Sequence, residues 1–195
     1  KYQHQTGNLL IAMHEVLGHG SGKVSEDLDG DPSLYLKEYY NTLEEACADL
    51  VGLWHAWDGK LAELGVAEPE SVAGAMYREY VMRDLTNLAA VPEGDRFEED
   101  HHRGRHMVVS FLMEKGAVGK VVKEGKIFYV VVDIPFMREG VGELLTKLMR
   151  AKGEGDYDAV KNLVEKYGTT INTALRDEVV ARVNSIDLPR RFACL

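Results

Sequence analysis

His14-Glu15-Val16-Leu17-Gly18-His19, preceded by the apolar run Leu9-Leu10-Ile11-Ala12-Met13 and followed by Gly20 and Gly22, decides how the rest of the chain is read. The apolar run predicts a buried helix, and the glycines predict that it ends in a loosened turn. Two imidazoles and a carboxylate therefore stand near a helix end. In a helical H-E-x-x-H motif the two histidines share one face and bind zinc, while the glutamate beside the first activates water. Here the histidines are five residues apart instead of four. Five steps leave the second histidine roughly 140° around from the first on an ideal α-helix, too far for both to reach one ion. An extra residue has to be absorbed, and Gly18 is the place for it. A π-bulge or a loosened last turn there would bring His19 back beneath His14.

A catalytic zinc takes three protein ligands and keeps one position open. The candidate third ligand lies in Asn41-Thr42-Leu43-Glu44-Glu45-Ala46-Cys47-Ala48-Asp49, which opens a second helical pattern. Leu43, Leu50, Val51, Trp54 and Trp57 form its apolar positions, Asn41 or Thr42 its cap, and Asp58-Gly59 its stop. Acids are common in a first helical turn, where the helix dipole favours them. Glu45 and Asp49, however, lie one turn apart on one side, so one carboxylate can bind metal while the other holds the free N–H of a histidine. Spacing alone leaves both Glu44 and Glu45 open as the ligand.

HEVLGHGSGKV together with EEACADLVGLW resembles the paired signature of the dipeptidyl peptidase III family, H-E-x-x-G-H followed by E-E-x-R-A-E or E-E-x-R-A-D. Members are zinc exopeptidases that remove dipeptides from peptide N-termini. The resemblance implies that His14, His19 and Glu45 hold Zn2+, that Glu15 is the general base, and that Glu44 and Asp49 orient the histidines. One position departs from the pattern: Cys47 stands where the family usually carries a basic residue, which weakens a local salt bridge and touches no metal ligand.

Asp100-His101-His102-Arg103-Gly104-Arg105-His106, running into the apolar Met107 to Met113, reads on its own as a polar helix start. The family carries His-x-x-x-Arg followed nine residues later by glutamate and then glycine, and His101, Arg105, Glu114 and Gly116 fit that register. By resemblance His101 is the donor to the reaction's oxyanion and Arg105 a substrate or carboxylate contact. His102 and His106 fall out of register and are left structural. Near the end, where the family holds the substrate with a basic residue, this chain has Ile186 or Asp187; Arg190 and Arg191 are the candidates to substitute.

With 195 residues, 45% of them hydrophobic, residues 1–195 are expected to form a single zinc-peptidase catalytic domain. The resemblance implies a piece of a larger two-lobed protein, since the family's groups for the substrate's free N-terminus lie upstream of the zinc motif. A short peptide is the implied partner. Thirty-two acids against 23 bases argue against a nucleic-acid surface. Two widely separated cysteines suggest neither disulfides nor a cysteine metal site, so a cytoplasmic setting is expected. No apolar stretch approaches membrane-spanning length, so no membrane partner is expected. Asp27, Asp29 and Asp31 lack the closing glutamate of a calcium loop. Elsewhere, Pro69 opens a helix, residues 119–133 read as a hairpin turning at Glu124-Gly125, and helices resume after Pro135, over 159–167 and over 172–183. The expected fold is mainly α, a helical zinc-metallopeptidase catalytic domain with a small β-hairpin. The rival reading is a zinc-binding domain without activity of its own, serving as a peptide- or partner-binding module.

Overall fold

The computed structural model describes residues 3–65, 68–91 and 93–186. Its elements in order are α1 (Gln3–Met13), a π-helical turn (His14–Gly18), α2 (Ser33–Leu36), α3 (Tyr40–His55), α4 (Lys60–Glu63), α5 (Pro69–Asn87) and α6 (Asp100–Glu114). The hairpin β1 (Val118–Lys123) and β2 (Lys126–Val131) follows, then α7 (Ile134–Glu154), α8 (Tyr157–Leu163), a second π segment (Val164–Thr169) and α9 (Thr173–Asn184). The fold is mainly helical with one small antiparallel hairpin, as the sequence predicts. Among the described residues no helix is long and apolar enough to cross a membrane.

The centre is α3, which packs on α1, α6 and α7. Leu43, Ala46, Leu50 and Leu53 are fully buried along it, and Cys47, Ala48 and Gly52 are buried as well. A helix buried on most of its sides belongs in a core, and each buried leucine contributes about 1.5–3 kcal/mol. Burial pushes the Cys47 thiol up to about 12, so it remains neutral and acts as a small apolar filler. Small residues let the neighbouring helices come close. A Cβ on Gly104 of α6 would lie 3.1 Å from both Ala46 N and Thr42 O of α3, so α6 rests almost on the α3 backbone.

Several boundaries differ from the sequence expectation, each for a local reason. Neither Asn41 nor Thr42 caps α3. The helix continues out of a 3-10 turn at Lys37–Tyr39 without a side-chain cap, and the buried Thr42 hydroxyl donates to Asp100 of α6 instead. Helix α3 ends at His55, and a short turn carries Trp57 back to the core, where its indole donates to Tyr77 at 2.9 Å. Within α7, Gly153 leaves room for the Lys23 carbonyl, 2.7 Å from where a Cβ would be. Left-handed Gly155 is the terminator. The hairpin forms as expected: Lys123 pairs with Lys126 across Glu124 (φ 52) and Gly125 (φ 72), both left-handed as a two-residue turn requires. Arg190 and Arg191 lie outside the described residues.

Candidate metal centre

The π turn absorbs the fifth residue between the histidines. The His19 amide donates to the His14 carbonyl at 3.2 Å, an i to i+5 bond that widens the helix by one residue. The two imidazoles then meet edge to face, with ring centroids 4.7 Å apart and planes at 89°. Gly18 makes this possible because the turn is pressed onto α3. A Cβ there would fall 2.6 Å from Ala48 Cα and 2.8 Å from Ala48 O.

Ala48 lies between Glu45 and Asp49, so the same contact brings the turn over both carboxylates. Ligand atoms of His14, His19 and Glu45 lie within 4.8 Å of one another, a grouping of potential metal donors found nowhere else among the described residues. Glu45 Oε2 is buried without a hydrogen-bond partner, although His14 Nε2 and His101 Nε2 each stand 3.2 Å from it. Two imidazoles and one carboxylate, whose buried oxygen has no hydrogen-bond partner, fit a zinc ion, whose catalytic sites take that donor set. In the acidic loop, by contrast, the Asp31 carboxylate serves a turn, accepting from the Ser33 amide at 2.8 Å.

Each histidine has a carboxylate behind it. His14 is buried, and its Nδ1–H donates to Asp49 Oδ1 at 2.8 Å, leaving Nε2 toward the cluster. That hydrogen bond holds the imidazole above its ordinary value against the opposing effect of burial, helped by the charges of Asp49, Glu45 and Glu15. Asp49 is itself held by the fully buried Tyr80, whose hydroxyl donates to Oδ2 at 2.7 Å. Burial and the neighbouring Asp49 carboxylate keep that hydroxyl well above its ordinary value, so it stays protonated. Glu44 occupies the equivalent place behind His19, with Oε1 3.7 Å from Nδ1. Its other oxygen, Oε2, lies 2.7 Å from the Lys152 ammonium, so the geometry separates the two adjacent glutamates: Glu45 joins the cluster, and Glu44 stands behind His19 against Lys152.

Glu15 is exposed on the π turn. His101, one turn before the Gly104 contact, faces Glu45 through Nε2, while Nδ1 donates to Glu99 at 2.6 Å. Glu99 also caps α6, accepting the amides of His101 and His102, and so fixes the orientation of the ring. Arg105 points inward. Its guanidinium lies 3.9 Å from Asp49 Oδ2 and over the Tyr80 ring. Tyr80, Glu99 and Lys152 have no signal in the sequence. Tyr80 reads as one more apolar position of α5, Glu99 as an ordinary cap, and Lys152 as an ordinary cation in a last helical turn.

His106 is structural, as expected. It donates from Nδ1 to buried Asp84 of α5 at 3.1 Å, with the Ser110 hydroxyl 3.3 Å from Nε2 and the Phe97 ring beside it. Burial opposes the imidazolium, but the Asp84 hydrogen bond and charge, with the Thr170 backbone, leave it raised overall. A histidine raised in the folded state adds stability that is complete below its unfolded value of about 6.5 and is lost as pH rises through the folded value. Urea unfolding of the metal-free chain is therefore expected to show His106→Gln destabilised more at about pH 6 than at about pH 9. A difference independent of pH, or larger at the higher pH, contradicts the assignment.

No model of a known protein family matches the chain. It is 24% identical to a dipeptidyl peptidase 3 of Dictyostelium discoideum over 220 residues, covering 89% of this chain and 32% of that protein. It is also 31% identical over 147 residues to a Nudix hydrolase 3 of Arabidopsis thaliana, covering 73% of this chain and 17% of that protein. Among solved structures it superposes on dipeptidyl peptidase III from Caldithrix abyssi with a TM-score of 0.73 at 24% identity, covering 93% of this chain and 33% of the other. The enzyme from Corallococcus sp. strain EGB gives 0.72 at 23%, covering 93% and 32%. The chain thus resembles the dipeptidyl peptidase III family over most of its own length and shares the fold of that part. It spans about a third of the length of those proteins.

Proposed function

We propose that this chain carries the catalytic zinc centre of a peptidase of the dipeptidyl peptidase III kind, which releases dipeptides from the N-termini of short peptides. The observation that carries the reading is the convergence of His14, His19 and Glu45, with the free carboxylate of Glu15 on the same π turn. A purely structural metal has no need of that fourth group. A bound zinc supplies a Lewis acid that brings the pKa of water to about neutrality and polarises the scissile carbonyl. Glu15 accepts the proton of the attacking water and passes it to the leaving amine. His101, beside the ligand set, donates to the oxyanion as negative charge develops, a role for which loss of the donor typically costs about 2.7–4 kcal/mol. Asp49 and Glu44 keep His14 and His19 in the orientation that presents Nε2. Arg105, 3.9 Å from Asp49, supports that carboxylate and contacts the substrate.

The second reading, a zinc-binding module that does not cut on its own, is favoured by one fact: the chain spans about a third of the dipeptidyl peptidases it resembles. One experiment separates them. The purified chain is expected to bind one zinc, to lose it on Glu45→Ala, and to hydrolyse a dipeptidyl arylamide. Zinc without turnover favours the module. No zinc at all sinks both readings.

A further inference from the structure

We infer that Lys152, at the far end of the chain from the motif, is a positioning residue of the metal centre: its ammonium holds Glu44, and through Glu44 it holds His19. The inference rests on the zinc reading above and extends it to a residue with no place in either motif.

Lys152 lies in the last turn of α7 and is 7% exposed. A cation at a helix C-terminus ordinarily reaches into water, and a lysine is almost never buried without a partner. This one has three oxygens. Its Nζ stands 2.7 Å from Glu44 Oε2, 3.0 Å from Glu44 Oε1 and 3.3 Å from the Ser21 carbonyl. Ser21 is two residues beyond His19, and Glu44 Oε1 is the oxygen that faces His19 Nδ1. A single charge therefore ties down both the carboxylate behind His19 and the backbone that leaves it.

The end of α7 is built to receive that backbone. The Ser25 amide donates to the Gly153 carbonyl at 2.9 Å. A Cβ on Gly22 would lie 3.0 Å from Met149 Sδ, and one on Gly153 would lie 2.7 Å from Lys23 O. The glycine-rich turn thus runs along α7 immediately after the second histidine.

The two histidines depend on this support unequally. His14 is buried, bonded to Asp49 and backed by Tyr80. The His19 side chain is 34% exposed and sits 3.7 Å from its carboxylate. His19 is the ligand with the looser hold, so what fixes Glu44 fixes it. Positioning and simple charge give opposite signs. If Lys152 acted only as a nearby positive charge, removing it would tighten cation binding. If it positions Glu44, removal loosens zinc.

The test is the zinc dissociation constant, measured by competition with a chromophoric chelator, for the unaltered chain, Lys152→Met, Lys152→Arg, Glu44→Gln and the Lys152→Met/Glu44→Gln pair. Lys152→Met is expected to weaken zinc by about 10–100-fold, the usual range for groups that orient a ligand. Lys152→Arg, which keeps the charge, is expected to recover most of that loss. The paired substitution is expected to be little worse than either alone, since both cut one connection. Urea unfolding without metal separates a general loss of stability from loosened binding. Zinc held as tightly or more tightly by Lys152→Met, or effects of the two single substitutions that multiply, overturns the inference while leaving the zinc reading intact. An unaltered chain that binds no zinc overturns both.

Discussion

Glu15→Gln is expected to retain one zinc per chain and to lose hydrolysis of a dipeptidyl arylamide by about 10²–10⁴-fold, the range over which a positioned general base acts. Glutamine keeps the size and hydrogen-bonding reach of glutamate and removes only the capacity to take a proton. The substitution falls at an exposed position of the π turn, so it leaves no cavity and no buried group unpaired. His14, His19 and Glu45 keep their places, and His14 keeps its bond to Asp49. Glu15 is one of three carboxylates whose charge favours the imidazolium of His14, and the hydrogen bond to Asp49 matters more. The loss is therefore expected in kcat/KM and not in metal content. Steady-state kinetics on zinc-loaded protein, with metal counted in the same samples, measures both. A Glu15→Gln chain that turns over at the unaltered rate removes Glu15 from the mechanism, whatever the metal does.

What the sequence discloses about this site follows from the range of the interactions that build it. The π turn is legible because it is local: the angular mismatch of a five-residue spacing on an α-helix, with a glycine before the second histidine, demands a wider turn. Pro69 at the start of α5 and Glu124-Gly125 in the hairpin are legible for the same reason, since each fixes its own backbone. The choice between Glu44 and Glu45 is not local. It depends on Lys152, 108 residues on from Glu44, holding that carboxylate behind His19 while Glu45 joins the histidines. Tyr80 and Asp49 are 31 residues apart, and neither spacing nor composition joins a tyrosine in an apolar stripe to an acid on another helix. His101 illustrates the boundary. Its residues alone read as a polar helix start, and only the resemblance to a known family singles it out. Its approach to Glu45 rests on Gly104 letting α6 lie on α3, a packing fact with no linear signature. Helix ends depart from their local signals where a tertiary partner takes over, as when Thr42 gives its hydroxyl to Asp100 instead of capping its own helix.

Gly18→Ala is the substitution expected to damage fold and site together. Adding one methyl group to an exposed turn usually changes little, and on a helix alanine is favoured over glycine by about 1 kcal/mol. Here the methyl group has nowhere to go. It would meet Ala48 at its Cα, Cβ and carbonyl oxygen, all within 2.6–2.8 Å, and two of those three atoms belong to the backbone of the central helix. No side-chain rotation relieves that contact, so the π turn must lift from α3 or α3 must bend. Overpacking of this kind costs about 1–3 kcal/mol and occasionally more. Lifting the turn also carries His19 away from Glu45, because the Gly18 contact with Ala48 sets the distance between the histidine pair and the carboxylates on either side of Ala48. Zinc affinity is therefore expected to fall by at least about tenfold, no less than the loss of a group that orients a ligand costs, with a matching loss of stability in metal-free urea unfolding. Ala48→Gly offers a control, since it removes one of the three contacts and leaves the two backbone ones, so in combination it is expected to restore only part of either loss. A Gly18→Ala chain with unaltered stability and zinc affinity would mean that the π turn is not held against α3, and the geometric argument for His14, His19 and Glu45 as one ligand set would lose its foundation.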